Sequence, residues 1–149
     1  MEAASRRHVV LDAYPVVALL RDEPCAGEVA EVMAAEASVI SAVTLGEVAD
    51  VLVRRYEEDP ARVEMTLESL LVESISVEPP TVDVAIRAGL LRARWYRRRG
   101  REASLGDCFV VAAARRGDAI ATADPILAEV ARGEGLEVVA LPDSSGQRP

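Results

Sequence analysis

Four carboxylates in this chain stand where a metal ion could be held: Asp12, Glu47, Asp107 and Asp124. Asp12 closes the apolar run HVVL, and Asp124 follows AIAT and precedes Pro125. Glu47 comes three residues after Thr44, and Asp107 three residues after Ser104, each ahead of a run with helical spacing. A set of carboxylate oxygens with no His or Cys among them suits a hard cation such as Mg²⁺ or Mn²⁺. Metals held this way activate a water and steady the charge of an in-line phosphoryl displacement. Every one of these acids also has a structural reading. Thr44–Glu47 and Ser104–Asp107 have capping-box spacing, Asp124-Pro125 reads as an N-cap with proline at the first helical position, and Asp12 suits a turn after its strand.

The elements that must position them alternate short buried strands with helices. Strands are expected at 8–11, 38–41, 75–77, 119–122 and 137–140. Helices are expected at 14–20, 26–36, from Thr44 to about residue 56, from Asp59-Pro60 onward, from Thr81 to about 99, from Ser104 to Gly117 and at 125–132. The helix after Thr81 is expected to bury Val82, Ala85, Ile86, Gly89, Leu90 and Ala93. Such alternation implies an α/β fold with a parallel sheet covered on both faces. Nothing divides the chain, so it reads as one domain over 1–149, with 1–7 and 143–149 as loose tails. A helix and the strand after it run antiparallel, so all four acids should reach the carboxyl edge of the sheet, where such folds bind ligands. Asp118 precedes a strand and belongs at the opposite edge. Asp83 favours a helix dipole, and Asp50 suits a solvated face.

Composition removes several alternatives. The formal net charge is −8, which argues against a passive nucleic-acid coat. The absence of lysine excludes P-loop and Schiff-base chemistry and a receiver domain. A haloacid-dehalogenase-type phosphatase would need that lysine and an aspartate where Tyr14 stands. His8 is the single histidine and lies about 13 Å along its strand from Asp12, too far for a histidine-based site. Cys25 and Cys108 show no metal-ligand spacing and read as reduced thiols of a cytoplasmic protein. No apolar run approaches the ~20 residues of a membrane span. The one basic cluster, RARWYRRRGR, is either a solvated helix end or a phosphate-contacting patch. In the second reading Arg94, Arg97, Arg98, Arg99 and Arg101 hold the backbone while Trp95 and Tyr96 stack bases.

VVLDAYPVVALL, SAVTLGEVADVL, SLGDCFVVAAARRG and AIATADPIL resemble, in order, the four motifs of PIN domains. The length is similar to that of VapC-type toxins of bacterial toxin–antitoxin pairs. The resemblance implies a three-layer α/β/α sandwich with a central parallel sheet of about five strands in the order 3-2-1-4-5. It implies a Mg²⁺- or Mn²⁺-dependent ribonuclease acting on RNA, a homodimer, and a cognate VapB-type antitoxin. Asp12, Glu47 and Asp107 map onto the family's three regular acids and Asp124 onto its more variable fourth, with Thr122 as a neighbouring polar residue and Thr44 and Ser104 in support. Pro125-Ile126-Leu127 departs from the acidic or aromatic residues that many members carry after the fourth acid. A non-catalytic PIN-like module binding protein or RNA is the other reading.

Overall fold

A computed structural model describes residues 7–96 and 102–149. In β1 (His8–Leu11) Val9 and Leu11 enter one core cluster and Val10 the other, the period-2 alternation of a strand buried on both faces. The remaining strands are β2 (Ala37–Ser41), β3 (Ile75–Glu78), β4 (Ala119–Thr122) and β5 (Glu137–Ala140). All pair in parallel, in the order β3-β2-β1-β4-β5. The helices are α1 (Ala13–Leu20), α2 (Ala26–Ala35), α3 (Ala42–Arg54), α4 (Pro60–Glu73), α5 (Val82–Trp95), α6 (Leu105–Ala113) and α7 (Pro125–Gly133). Residues of α1 to α4 share a core with Val9, Leu11 and Ile40, while α5, α6 and α7 pack on the face of Val10 and Ile120. The fold is the expected three-layer α/β/α sandwich, with its topological switch between β1 and β4.

Three local expectations change. First, α3 begins at Ala42, not Thr44, because Ser41 is both the last strand residue and the N-cap, its hydroxyl accepting from the Val43 N–H at 3.2 Å. Second, α6 ends at Ala113, and Arg115 to Gly117 lie beyond it in a turn that Gly117 closes at φ +92°. Third, α5 buries the other of its two apolar stripes. Val84, Ala88, Leu91 and Trp95 face the core, whereas Val82, Ile86 and Leu90 are exposed. Trp95 decides the rotation. Its ring lies against Gly133, where a Cβ would meet it at 2.2 Å, and its indole N–H donates to Glu134 at 2.9 Å.

Helix α5 is assigned to Trp95; the continuation expected to about residue 99, and Arg97, Arg98, Arg99 and Arg101, lie outside the described residues. Residues 1–6 do so as well. Residues 143–149, expected as a loose tail, make defined hydrogen bonds. The Asp143 carboxylate accepts from the Ser145 and Gln147 N–H groups, and Arg148 bonds Glu28 and the Ala140 carbonyl, both at 2.7 Å. Among the described residues no helix is long and apolar enough to cross a membrane.

Candidate metal centre at the carboxyl edge

Strands β1 and β4 run side by side with Leu11 opposite Ala121, and the Asp12 N–H extends the ladder to the Ala121 carbonyl at 3.1 Å. Asp12 therefore comes level with Thr122. The Thr122 hydroxyl donates to Asp12 Oδ2 at 2.7 Å and accepts from the Asp124 N–H at 2.9 Å, so one fully buried hydroxyl links two of the acids. Asp12 also caps α1, its Oδ1 accepting from the Ala13 N–H at 2.8 Å. Asp124 caps α7 through Oδ1 and the Ile126 N–H at 2.8 Å, with Pro125 following. Asp107 and Ser104 form a reciprocal capping box, at 2.8 Å to the Ser104 N–H and 3.0 Å from the Asp107 N–H to Ser104 Oγ.

Glu47 arrives differently. With α3 starting at Ala42, Glu47 lies past the first turn, and no capping bond holds its carboxylate among the described residues. Its Oε1 lies over the first turn of α6, where a Cβ on Gly106 would stand 1.9 Å away. Gly106 is a site residue that sequence reasoning passed over. Its cue was a glycine inside a helix, which costs about 1 kcal/mol relative to alanine and so calls for a packing reason.

The four acids line one cleft of about 530 Å³. Burial pushes Asp12 up to about 6; the Thr122 hydroxyl and Ala13 N–H pull it down, and Asp107 and Asp124 push it further up. Glu47 rises through burial and then through the charges of Asp12 and Asp107. Asp107 rises through burial and Asp124, against the lowering bonds from Ser104. Among the described residues none of the four has a cationic ion-pair partner, and no three acids are closed into a ready-made ligand shell. The donor set nonetheless fits a hard cation. The capping bonds engage one oxygen each of Asp107 and Asp124. The other oxygen of each, and the whole Glu47 carboxylate, carry no hydrogen bond among the described residues. Mutual repulsion of uncompensated carboxylates is what a divalent cation relieves.

Residues 9–133 match the family described as PIN domain. The chain belongs to the PIN-domain family. No curated protein matches it. Several solved structures share the fold of this PIN domain. One is VapBC2 from Rickettsia felis bound to a DNA fragment from their promoter, at 14% identity and TM-score 0.64, covering 88% of this chain and 96% of that one. A second is FitAcB from Neisseria gonorrhoeae, at 21% identity and TM-score 0.62, covering 87% and 95%. A third is VapC20 from Mycobacterium tuberculosis, a sarcin-ricin loop cleaving toxin, at 21% identity and TM-score 0.58, covering 95% and 99%.

The remaining candidates of this PIN domain separate from the cleft. Thr44 is fully buried with its hydroxyl unpartnered among the described residues, so its expected capping role is absent. Arg94 bonds Glu134 at 2.8 Å and lines a different depression beside Arg87, Arg115 and Arg116. Trp95 is a core residue and offers no face for stacking, whereas Tyr96 is exposed beneath Arg92. Cys108 is buried with its thiol pushed up to about 11 by burial, which leaves it inert. His8 and Asp118 meet at the amino edge, as their positions in the sequence imply.

Proposed function

We propose that this PIN domain is a Mg²⁺- or Mn²⁺-dependent endoribonuclease, the toxin of a VapBC-type pair. The observation that carries the reading is the convergence of Asp12, Glu47, Asp107 and Asp124, from four chain segments, in one cleft, none of them ion-paired to a cation among the described residues. Glu47, Asp107 and Asp124 have oxygens free to hold the metal. Asp12, oriented by Thr122 and the α1 cap, keeps a lone pair on each oxygen beyond those two bonds and joins them as a ligand. When bound, the metal supplies Lewis-acid stabilisation of the phosphodiester and lowers the pKa of water. Ser104 holds Asp107 in one orientation, and Gly106 leaves space for Glu47. The structural neighbours, several of them toxin–antitoxin complexes and one an RNA-cleaving toxin, support the class of reaction and a VapB-type antitoxin as partner.

Homodimerisation belongs to the same reading. It is supported by the exposed stripe of Val82, Ile86 and Leu90 on α5, with Ala85, Gly89 and Ala93 between them. Leu90→Glu should convert the protein to a monomer in light scattering, and an unchanged mass would remove α5 from the interface. The cytoplasm is the corresponding compartment, since its RNA is the substrate proposed; immunolocalisation outside it would contradict this. The nuclease itself is tested by RNA cleavage in Mn²⁺ with wild type, Asp12→Asn and Asp107→Asn. Each substitution should lower the rate at least about a hundredfold, by loss of a ligand. Equal cleavage by all three would sink the assignment of the site, and no cleavage by wild type would leave the non-catalytic module as the better reading.

A further inference from the structure

The cleft has a second wall, and it is not acidic throughout. Beside the carboxylates stand Tyr14 and Val17 of α1, Val51 of α3, and Arg55 and Tyr56 just past the end of α3. Arg55 is the one cation among the described residues lining the cleft. It is exposed, and although its backbone N–H donates to the Val51 carbonyl at 2.9 Å, its guanidinium makes no ion pair or hydrogen bond among the described residues. Its neighbours are committed. Arg54 makes three hydrogen bonds to Asp50, at 2.7 to 3.1 Å, and Arg21 bonds Glu58 at 3.0 Å. The Arg55 guanidinium instead lies 5.6 Å from the centre of the Tyr56 ring, which Arg21 also covers at 4.3 Å. A cation at the end of a helix favours the dipole, but Arg54 in the last turn already meets that need. A helix-end role therefore does not account for a second arginine turned into the cleft and held on an aromatic ring.

We propose that Arg55, seated on Tyr56, holds a phosphate of the substrate strand next to the scissile bond. The proposal rests on the nuclease reading above. A strand entering a cleft floored by carboxylates is repelled unless its flanking phosphates meet a cation. A guanidinium fork fits two phosphate oxygens and keeps its charge at every working pH. Contact with the Tyr56 ring limits the fork's freedom before the strand arrives. The apolar side chains of Val17 and Val51 beside it suit the face of the adjoining nucleoside. Substrate contact thus lies on the α1–α3 side of the acids, away from the depression that Arg94 lines on α5.

The test compares wild type with Arg55→Gln, Arg55→Lys and Arg54→Gln on a fluorogenic single-stranded RNA of mixed sequence in Mn²⁺. Arg55→Gln should raise KM about tenfold and leave kcat within about twofold, as loss of one phosphate contact does. The slope of log KM against log salt should flatten by about 0.7, the value for one phosphate on a single strand. Arg55→Lys should fall between, and Arg54→Gln should match wild type. In the Asp107→Asn background without metal, Arg55→Gln should weaken anisotropy binding of the same RNA by a similar factor. If wild type cleaves and Arg55→Gln keeps its KM and salt slope, or loses kcat alone, the Arg55 assignment is overturned while the nuclease reading stands. If wild type neither binds nor cleaves the RNA, both fall together.

Discussion

Two buried aspartates sit at opposite edges of the same sheet. Asp12 is 8% exposed and Asp118 is 7% exposed, so burial does not distinguish them. Their partners do. At the amino edge Asp118 accepts from the His8 N–H at 3.2 Å and the Arg115 N–H at 2.8 Å, with the His8 ring 3.7 Å away. It ties the start of β1 to the turn before β4 and faces groups that favour its charge. At the carboxyl edge Asp12 has Thr122 and the Ala13 N–H, but Asp107 and Asp124 oppose it and no cation relieves it among the described residues. One carboxylate completes the fold; the other works against it until something positive arrives. Uncompensated burial, not burial, marks the functional edge.

The contrast predicts opposite signs for removing the two charges. Asp118→Ala leaves two backbone donors without their acceptor and should cost roughly 3 kcal/mol, lowering Tm by about 5–10 °C. Correctly folded Asp118→Ala should still cleave RNA with near wild-type kcat, and a loss of kcat as large as that of Asp107→Asn would erase the distinction between the edges. Asp12→Asn should act the other way in metal-free protein. The Asp12 pKa is raised in the fold, so the folded state holds its proton more tightly than the unfolded chain. Stability linked to it is complete below about pH 4 and is lost as pH rises to about 6, the value to which Asp12 is pushed. The loss amounts to about 3 kcal/mol for a shift of that size. Glu47 and Asp107, also raised, add in the same direction. At pH 7.5 Asp12→Asn should therefore melt roughly 5 °C or more above wild type without metal, and at pH 4 the two should coincide. Equal melting at both pH values would contradict the electrostatic account.

A smaller effect sharpens the comparison within the site. Gly106→Ala should gain a little helix stability in isolation, yet its Cβ must displace the Glu47 carboxylate. The expected result is a drop in cleavage of about tenfold with little change in metal-free Tm, since repositioning a ligand costs of that order. Unchanged cleavage would show that the position of Glu47 over α6 is not needed.

Much of this was legible in the residues. Strand runs such as HVVL and AIAT, bounded by Asp12 and by Gly117 and Asp124, announced a parallel sheet whose carboxyl edge collects acids. The register of β1 on β4 then set Asp12 level with Thr122, as the expected strand order implies. What was not legible depends on tertiary choice. Ser41 and Thr44 are both capable caps, and only the end of β2 selects Ser41. That choice frees Glu47 from capping, so the structural reading of Glu47 fails for a reason no spacing could show. Helix α5 carries two apolar stripes, and the space left by Gly133 for Trp95 selects the one that is buried. The basic cluster drew attention by charge density, yet Arg94 is spent on Glu134 while Arg55, unremarkable in sequence, lines the cleft.

The central claim is that these carboxylates form a metal site that metal-free protein leaves strained. It is tested most directly by thermal melting at pH 7.5 with and without Mn²⁺. At a concentration near 100 times its dissociation constant the ion should stabilise wild type by about 2.7 kcal/mol, a rise in Tm of roughly 5–10 °C. Asp107→Asn should remove most of that rise, and Asp118→Ala should retain it from its lower starting point. An unmoved wild-type Tm, or an equal rise in Asp107→Asn, would contradict the account.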